Sequence, residues 1–206
     1  MWELLPRLRA SRWVDLTHAF DENIPHCTSF DPARRTTLYH YDAGVGTKGQ
    51  GFLAEEWTLP GQWGTHVDPP AHFVRGLRFQ DEIPVTEMLL PLVVLDISAQ
   101  AARDADYRID MADVRTWEGQ HGHVPAGSFV ALHTGWSKHW PSRERMLNRD
   151  TAGVCHFPGW SREVLAYLYE ERKRPPTAAL RRWLWIGCPA RPMGAADARC
   201  RPYAWG

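Results

Sequence analysis

Two histidines and an aspartate lie within one short stretch of the sequence, residues 61–73, which reads GQWGTHVDPPAHF. In an extended segment, side chains at i and i+2 project to the same side, so His66 and Asp68 are expected to face together. Pro69 and Pro70 restrict the backbone and hold this geometry without a ligand. Because imidazole nitrogen and carboxylate oxygen suit Zn²⁺, Mn²⁺ or Fe²⁺, the spacing predicts a divalent-metal site. A polar, hydrogen-bonded turn without any ligand is the structural alternative.

His72 follows His66 by six residues and is close enough in sequence to reach the same cavity. A metal at this place would lower the pKa of a bound water to about 7 and polarise a carbonyl, as amide or ester hydrolysis requires. A His72 that does not bind the metal could transfer protons near neutral pH. His-x-Asp also begins the ligand triad of non-haem iron oxygenases, whose third ligand here would be His121, His123 or His133. Those enzymes are many-stranded jelly rolls, whereas this chain has long helical segments.

The whole chain has the composition of an ordinary soluble globular protein. Its 206 residues suit one domain, and 44% of them are hydrophobic and 23% charged. The 24 basic side chains match the 24 acidic ones, so charge gives no argument for nucleic acid or an anionic membrane. Four scattered cysteines without a C-x-x-C spacing predict reduced thiols. No secretory signal or membrane-spanning run is found, so we expect a cytoplasmic protein.

Strand and helix patterns alternate along most of the chain, which predicts the α/β class. Strand patterns occupy residues 13–20, 36–42, 52–60, 91–98 and 128–136. Helical patterns occupy residues 83–90, 109–122 and 161–173. We expect Asp110 and Ser161 to be N-caps. The strand at 91–98 is a continuous apolar run, which is typical of a sheet covered on both faces.

Other residues near these elements have both a functional and a structural interpretation. Asp15 and His18 could line the site, although hydrogen bonding at a strand end is the simpler role. His133 lies at a predicted strand end, where α/β proteins often place ligands, and His156 could lie at the edge of the pocket. Cys155 has no Cys-His-Asp arrangement, so we reject a thiol nucleophile. Four tryptophans could form an aromatic wall, although most are expected in the core: Trp57, Trp63, Trp136 and Trp160.

The segment 174–206 differs in composition from residues 1–173. It is rich in Arg, Pro, Ala and Trp and contains no histidine and no glutamate. Its prolines interrupt both helical and strand periodicity. We therefore expect residues 1–173 to form the domain, and we hypothesise that a frameshift or misjoined end produced the tail. A natural basic tail is the alternative, and resequencing the coding DNA around codon 174 distinguishes the two.

Three stretches of the sequence resemble one protein family. GTHVDPPAHF resembles the H-x-G-T-H-x-D-x-P-x-H-F signature of the cyclase-like metal-dependent hydrolases, the family of bacterial kynurenine formamidase and isatin hydrolase. WVDLTHAF at 13–20 resembles its D-L-[ST]-H opening, and CHFPGWSREVLAYL at 155–168 resembles its P-G-[LW]-S segment. The resemblance implies a swivelling β/β/α domain with a mostly central sheet, often dimeric. It also implies hydrolysis of small amides, such as aryl formamides or cyclic amides, with zinc or manganese.

Carried over residue by residue, the resemblance implies that His66 and Asp68 bind the metal and that His72 transfers protons. Gln62 stands where the family has histidine, and its amide oxygen is expected to be a weak ligand or a partner of one. The family supplies a further His and Glu ligand after the last helix, and the tail contains neither. We therefore expect a homodimeric metal-dependent amidohydrolase that acts on a small carbonyl compound. An inactive, C-terminally incomplete homologue or a binding protein is the alternative.

Overall fold

The structure is a computed structural model that describes residues 2–27, 30–42, 48–49 and 51–171. The tail at 174–206 and the last two residues of the helix expected at 161–173 lie outside the described residues. None of the helices in the described part of the chain is long and apolar enough to cross a bilayer.

The N-terminal residues do not form the strand that we expected at 13–20. Helix α1 (Leu4–Ala10) ends just before this segment, which has no strand partner. The indole of Trp13 donates to a carbonyl of α1 at 2.7 Å, and the Asp15 carboxylate accepts from the amide of Thr17 at 2.8 Å. Such local bonds between side chain and backbone compete with sheet formation. The strand prediction at 13–20 is therefore wrong.

A three-stranded sheet leads the chain to the motif. Its strands are β1 (Arg34–His40), β2 (Lys48–Gly49) and β3 (Ala54–Thr58). The central strand β1 pairs parallel to β2 and antiparallel to β3. The strands expected at 36–42 and 52–60 are thereby confirmed, with ends that differ by two residues.

A parallel crossover unit follows the motif. Its elements are β4 (Leu92–Asp96), α2 (Ser98–Arg103), β5 (Arg108–Ile109), α3 (Met111–His121) and β6 (Phe129–His133). Strands β4 and β6 pair in parallel, and their last residues, Asp96 and His133, lie side by side. The strands expected at 91–98 and 128–136 are confirmed. The short helix expected at 83–90 is a 3₁₀ turn at Val85–Met88.

The C-terminal part of the described chain contains α4 (Arg143–Leu147), β7 (Gly159–Trp160) and α5 (Arg162–Ala166). Helix α5 continues as a π-helical turn at Tyr167–Glu171, and β7 pairs in parallel with β5. The α/β class is thus confirmed. Within the described residues, the strands form three small sheets rather than the central sheet that the resemblance implies.

The two predicted helix caps are confirmed. The Asp110 carboxylate accepts from the amides of Ala112 and Asp113 at 2.8 and 3.0 Å, and α3 ends at Gly122. The Ser161 hydroxyl accepts from the amide of Val164 at 3.3 Å at the start of α5. Each cap satisfies backbone donors that have no partner inside the helix.

The largest group of packed side chains, which we call the main core, joins β4 and β6 to α3 and α5. Its members are Val93, Leu95, Ile97, Ile109, Val114, Val124, Val130, Leu132, Trp160 and Val164. On β4, Val93 and Leu95 are buried, whereas Leu92 and Val94 are 55% and 42% exposed. Within the described residues, only one face of β4 is therefore covered. The expectation that this strand is covered on both faces is wrong for this part of the chain.

Two smaller groups of buried side chains lie apart from the main core. The first, which we call the motif core, consists of Ile24, Ala33 and Trp63. The second consists of Trp136, Met146 and Phe157. The partly buried Trp140 packs against both small groups.

Candidate metal centre

The loop after β3 carries the motif and rests on the N-terminal segment. Trp63 is buried, and its indole N–H donates to the carbonyl of Asp21 at 3.0 Å. Gly64 has a φ of +63°, and a Cβ at this position would lie 3.0 Å from the Phe20 ring and 3.3 Å from the Ile24 side chain. Both the backbone conformation and the close approach therefore favour glycine at this position.

The D-L-T-H segment lies beside the motif through its histidine. The amide of His18 donates to the Thr65 hydroxyl at 3.3 Å, and the His18 ring stacks on Trp140 with the two centroids 4.2 Å apart. Asp15 makes the local turn described above. The contact between His18 and Thr65 spans 47 residues, and no local pattern in the sequence indicates it. Nothing in the sequence singled out Trp140.

His66 and Asp68 face each other, as the i, i+2 spacing predicts. The Nδ1 atom of His66 lies 2.8 Å from the carbonyl oxygen of Gly64. Because a carbonyl only accepts, Nδ1 must carry the proton in this bond, and a neutral His66 therefore has its lone pair on Nε2. That Nε2 atom lies 3.4 Å from Oδ1 of Asp68. Backbone fixation of one ring nitrogen is the usual way of presenting the other to a metal ion.

Gln62 connects the remaining motif residues. Its Nε2 atom lies 3.3 Å from Oδ1 of Asp68 and 3.3 Å from Nδ1 of His72. His72 ends the 3₁₀ turn Pro70–His72, which the proline pair starts. The structure thus brings together all four residues that the sequence singled out, and we call Gln62, His66, Asp68 and His72 the motif site.

The half-buried pair His66 and Asp68 favours a positive charge between its two facing atoms. The hydrogen bond to Asp68 is the main cause that raises the pKa of His66, against the effect of burial. Burial alone would raise the pKa of Asp68, but hydrogen bonds from His66 and Gln62 and the charges of His66 and His72 outweigh it and lower the pKa. Asp68 is therefore ionised at neutral pH.

The separation of these two atoms fits two corners of a metal site. Two ligand atoms about 2.1 Å from a tetrahedral zinc lie about 3.4 Å apart, which matches the distance from His66 Nε2 to Asp68 Oδ1. Catalytic zinc sites use three protein ligands. No group of three or more His, Cys, Asp or Glu side chains that could hold a metal ion occurs among the described residues. Among the described residues, His66 and Asp68 thus present two facing atoms at a spacing that suits two metal ligands, without a third such side chain beside them.

The other candidate histidines lie elsewhere and pair with carboxylates. His133 Nδ1 is 3.1 Å from Asp96 at the shared end of β4 and β6. His156 lies between two carboxylates, with Nδ1 2.6 Å from Asp106 and Nε2 3.4 Å from Asp150. Hydrogen bonds to Asp106 and then Asp150 raise the pKa of His156. His156 therefore links two loops.

The remaining candidates have structural positions. His121 is exposed at the end of α3 beside Trp117, and the side chain of His123 is 75% exposed. Cys27 and Cys155 are free thiols. Three of the four tryptophans proposed for an aromatic wall are buried, and only Trp57 is partly accessible. The expectation that most of them serve the core is confirmed.

Comparison with known proteins identifies the family of this chain. The family model described as "Putative cyclase" matches residues 14–175. An isatin hydrolase from Roseibium aggregatum is 32% identical over 126 residues, which are 59% of this chain and 48% of that protein. This chain thus spans about half the length of that curated relative.

Solved structures of isatin hydrolases have a similar fold. Isatin hydrolase A from Labrenzia aggregata, bound to benzyl benzoate, superposes with a TM-score of 0.73 at 30% identity, over 82% of this chain and 68% of that one. An isatin hydrolase bound to the product analogue thioisatinate gives a TM-score of 0.72 at 25% identity, over 84% of this chain and 70% of that one.

Proposed function

Because this chain belongs to the cyclase family, we propose that it hydrolyses the C–N bond of a small amide or cyclic amide, as an isatin hydrolase or arylformamidase does. The observation that carries this proposal is the facing pair of His66 Nε2 and Asp68 Oδ1, 3.4 Å apart, with His72 joined to the same carboxylate through Gln62. Similarity to isatin hydrolases supports an amide substrate with an aromatic ring.

In this proposal, His66 and Asp68 hold a divalent zinc or manganese ion. When bound, such an ion supplies Lewis acidity that activates water and polarises the substrate carbonyl. The Gly64 carbonyl keeps the His66 ring oriented, and the half-buried position of Asp68 limits competition from solvent. Zinc and manganese both suit this nitrogen and oxygen set.

His72 transfers the proton that the reaction needs. Hydrolysis breaks the bond between carbonyl carbon and nitrogen, and the oxygen of water bonds to that carbon. One proton of the water must reach the leaving nitrogen, or the departing anion would be a very strong base. His72 takes this proton and delivers it to nitrogen, which is general base and then general acid catalysis.

Measurements of metal content and turnover test the proposal. Purified wild-type protein is expected to retain about one Zn²⁺ or Mn²⁺ per chain and to open the isatin ring, followed by absorbance, with an aryl formamide as the second probe. His66→Ala and Asp68→Asn should each lose the metal. His72→Ala should keep it while turnover falls about 100-fold or more. His123→Gln is the matched control because its side chain is largely exposed outside the motif.

A second candidate is a binding protein without hydrolase activity. It is favoured by the presence of only two metal ligands at the motif site among the described residues. Wild-type protein that retains no metal and opens neither probe substrate would support this candidate and refute the first. Turnover that persists in His72→Ala would refute the role of His72 but not the hydrolase activity.

We also propose that the chain forms a homodimer. Sedimentation velocity measures this directly.

A further inference from the structure

We propose that Phe73 determines the specificity of the motif site by holding the aromatic ring of the substrate. This inference rests on the proposed function, in which a small aromatic amide reacts beside His72. It adds the residue that distinguishes an aromatic amide from an aliphatic one. Phe73 is the last residue of the motif stretch at 61–73, and no role for it follows from the spacing of the histidines and the aspartate.

Phe73 lies against the residue that transfers the proton in the proposed reaction. Its ring meets the ring of His72 edge-on, with the two centroids 4.5 Å apart and the two planes at 80°. This is one of the arrangements that pairs of aromatic rings prefer. A substrate that forms a hydrogen bond to the His72 ring therefore lies close to the Phe73 ring as well.

Most of the Phe73 side chain is free to contact a ligand. Phe73 is 64% exposed in the described structure. Exposure alone does not distinguish it, because single apolar residues are common on protein surfaces and Phe79 is 62% exposed. What distinguishes Phe73 is that its exposed ring adjoins the motif site through His72. An aromatic substrate at His72 would bury more of this ring, and the removal of apolar area from water favours binding.

The backbone holds Phe73 in place before any ligand binds. Its amide donates to the carbonyl of Pro70 at 3.3 Å, and the amide of Val74 donates to the same carbonyl at 3.1 Å. The amide of Ala71 donates to the carbonyl of Arg78 at 3.1 Å, which closes the loop that carries Phe73. A binding surface that is already ordered loses less conformational entropy when a ligand binds.

Two matched probe substrates test the inference. Formanilide carries a phenyl ring, and N-cyclohexylformamide carries a saturated ring of similar size. Phe73→Leu keeps an apolar side chain but removes the aromatic ring, so KM for formanilide should rise about 3- to 10-fold while KM for N-cyclohexylformamide changes less than about 2-fold. Because Phe73 would contact the ring of the substrate and not the bond that breaks, kcat should stay within about 2-fold for both probes.

Two further variants control for other effects of the substitution. Phe73→Tyr retains the aromatic ring and should leave KM for formanilide within about 2-fold of the wild-type value. Phe79→Leu is the matched control, because Phe79 is almost equally exposed and shows no ring contact with His72 among the described residues. This control should leave the ratio of the two KM values unchanged.

The outcomes separate this inference from the proposed function. A ratio of the two KM values that Phe73→Leu does not change would overturn the role of Phe73. An equal loss for both probes together with a changed sedimentation coefficient would also overturn it, because Phe73 would then pack against a second copy of the chain. If the protein turns over neither probe, calorimetry measures Kd in place of KM, with the same expected ratios. A ring-dependent Kd without turnover would refute only the proposed hydrolysis.

Discussion

Replacing Gly64 by alanine should destabilise the protein more than the same change at Gly61 or Gly76. The left-handed conformation at φ +63° costs a non-glycine residue about 1–2 kcal/mol. The added methyl would also lie 3.0 Å from the Phe20 ring and 3.3 Å from Ile24. Overpacking of this kind costs about 1–3 kcal/mol. The half-exposed Phe20 ring can move away from the added methyl group, whereas the buried Ile24 side chain cannot. We therefore expect a packing cost of about 1–2 kcal/mol, in the lower part of that range.

The two contributions together predict a loss of about 2–4 kcal/mol in the free energy of unfolding for Gly64→Ala. Two other glycines separate the conformational contribution from the packing contribution. Gly76 has φ +80° with nothing within 4 Å of its Cβ position, so Gly76→Ala should cost only the conformational part, about 1–2 kcal/mol. Gly61 has open space and no positive φ, so Gly61→Ala should change stability by less than about 0.5 kcal/mol.

Urea unfolding, followed by tryptophan fluorescence, measures the free energy of unfolding of all three variants. Because the Gly64 carbonyl orients His66, Gly64→Ala should also weaken metal binding by about 10-fold, which titration calorimetry measures. Equal stability of Gly64→Ala and Gly76→Ala would refute the close packing of the motif loop on the N-terminal segment. Unchanged metal affinity in a destabilised Gly64→Ala would refute the coupling of this carbonyl to metal binding through the His66 ring.

Two further substitutions test the cap of α3 and the ion pairs of His156. Asp110→Ala removes the cap of α3 and should lower the free energy of unfolding by about 1 kcal/mol, while Asp110→Ser should retain most of it; equal losses in urea would contradict the capping role. His156→Gln should lower the melting temperature most below the unfolded histidine pKa of about 6.5. Because Asp106 and Asp150 raise its pKa in the folded protein, that difference should shrink as pH rises through the raised value; a difference that grows instead would contradict the ion pairs.

The motif site could be predicted from sequence because local backbone rules determine it. The i, i+2 spacing and two prolines place His66 and Asp68 together within a few residues. Helix α3 was predictable for the same reason, since its cap Asp110 acts on amides two and three residues away. Features of this kind need no knowledge of distant parts of the chain.

Contacts across long sequence separations could not be predicted. The stack of His18 on Trp140 joins residues far apart in the chain, and no local pattern indicates it. The contacts of Gln62 with Asp68 and His72 span only six and ten residues, but they depend on how the loop folds back on itself. The prediction of a strand at 13–20 was wrong because side chains such as Asp15 accept hydrogen bonds from nearby amides. Strand propensity does not include this competition between local bonds and sheet formation.

The division of the interior into separate groups of side chains has a consequence for how the molecule opens. Among the described residues, the motif core contains three buried side chains, one of them Trp63 of the loop itself, and it lies apart from the ten of the main core. Amide hydrogens around residues 61–73 should therefore exchange with solvent through small fluctuations that leave β4 and β6 closed. Substitutions that strengthen the main core would then raise the melting temperature without slowing this exchange. Trp140, which packs against both small groups, couples the motif core to the group of Trp136, Met146 and Phe157 rather than to the main core.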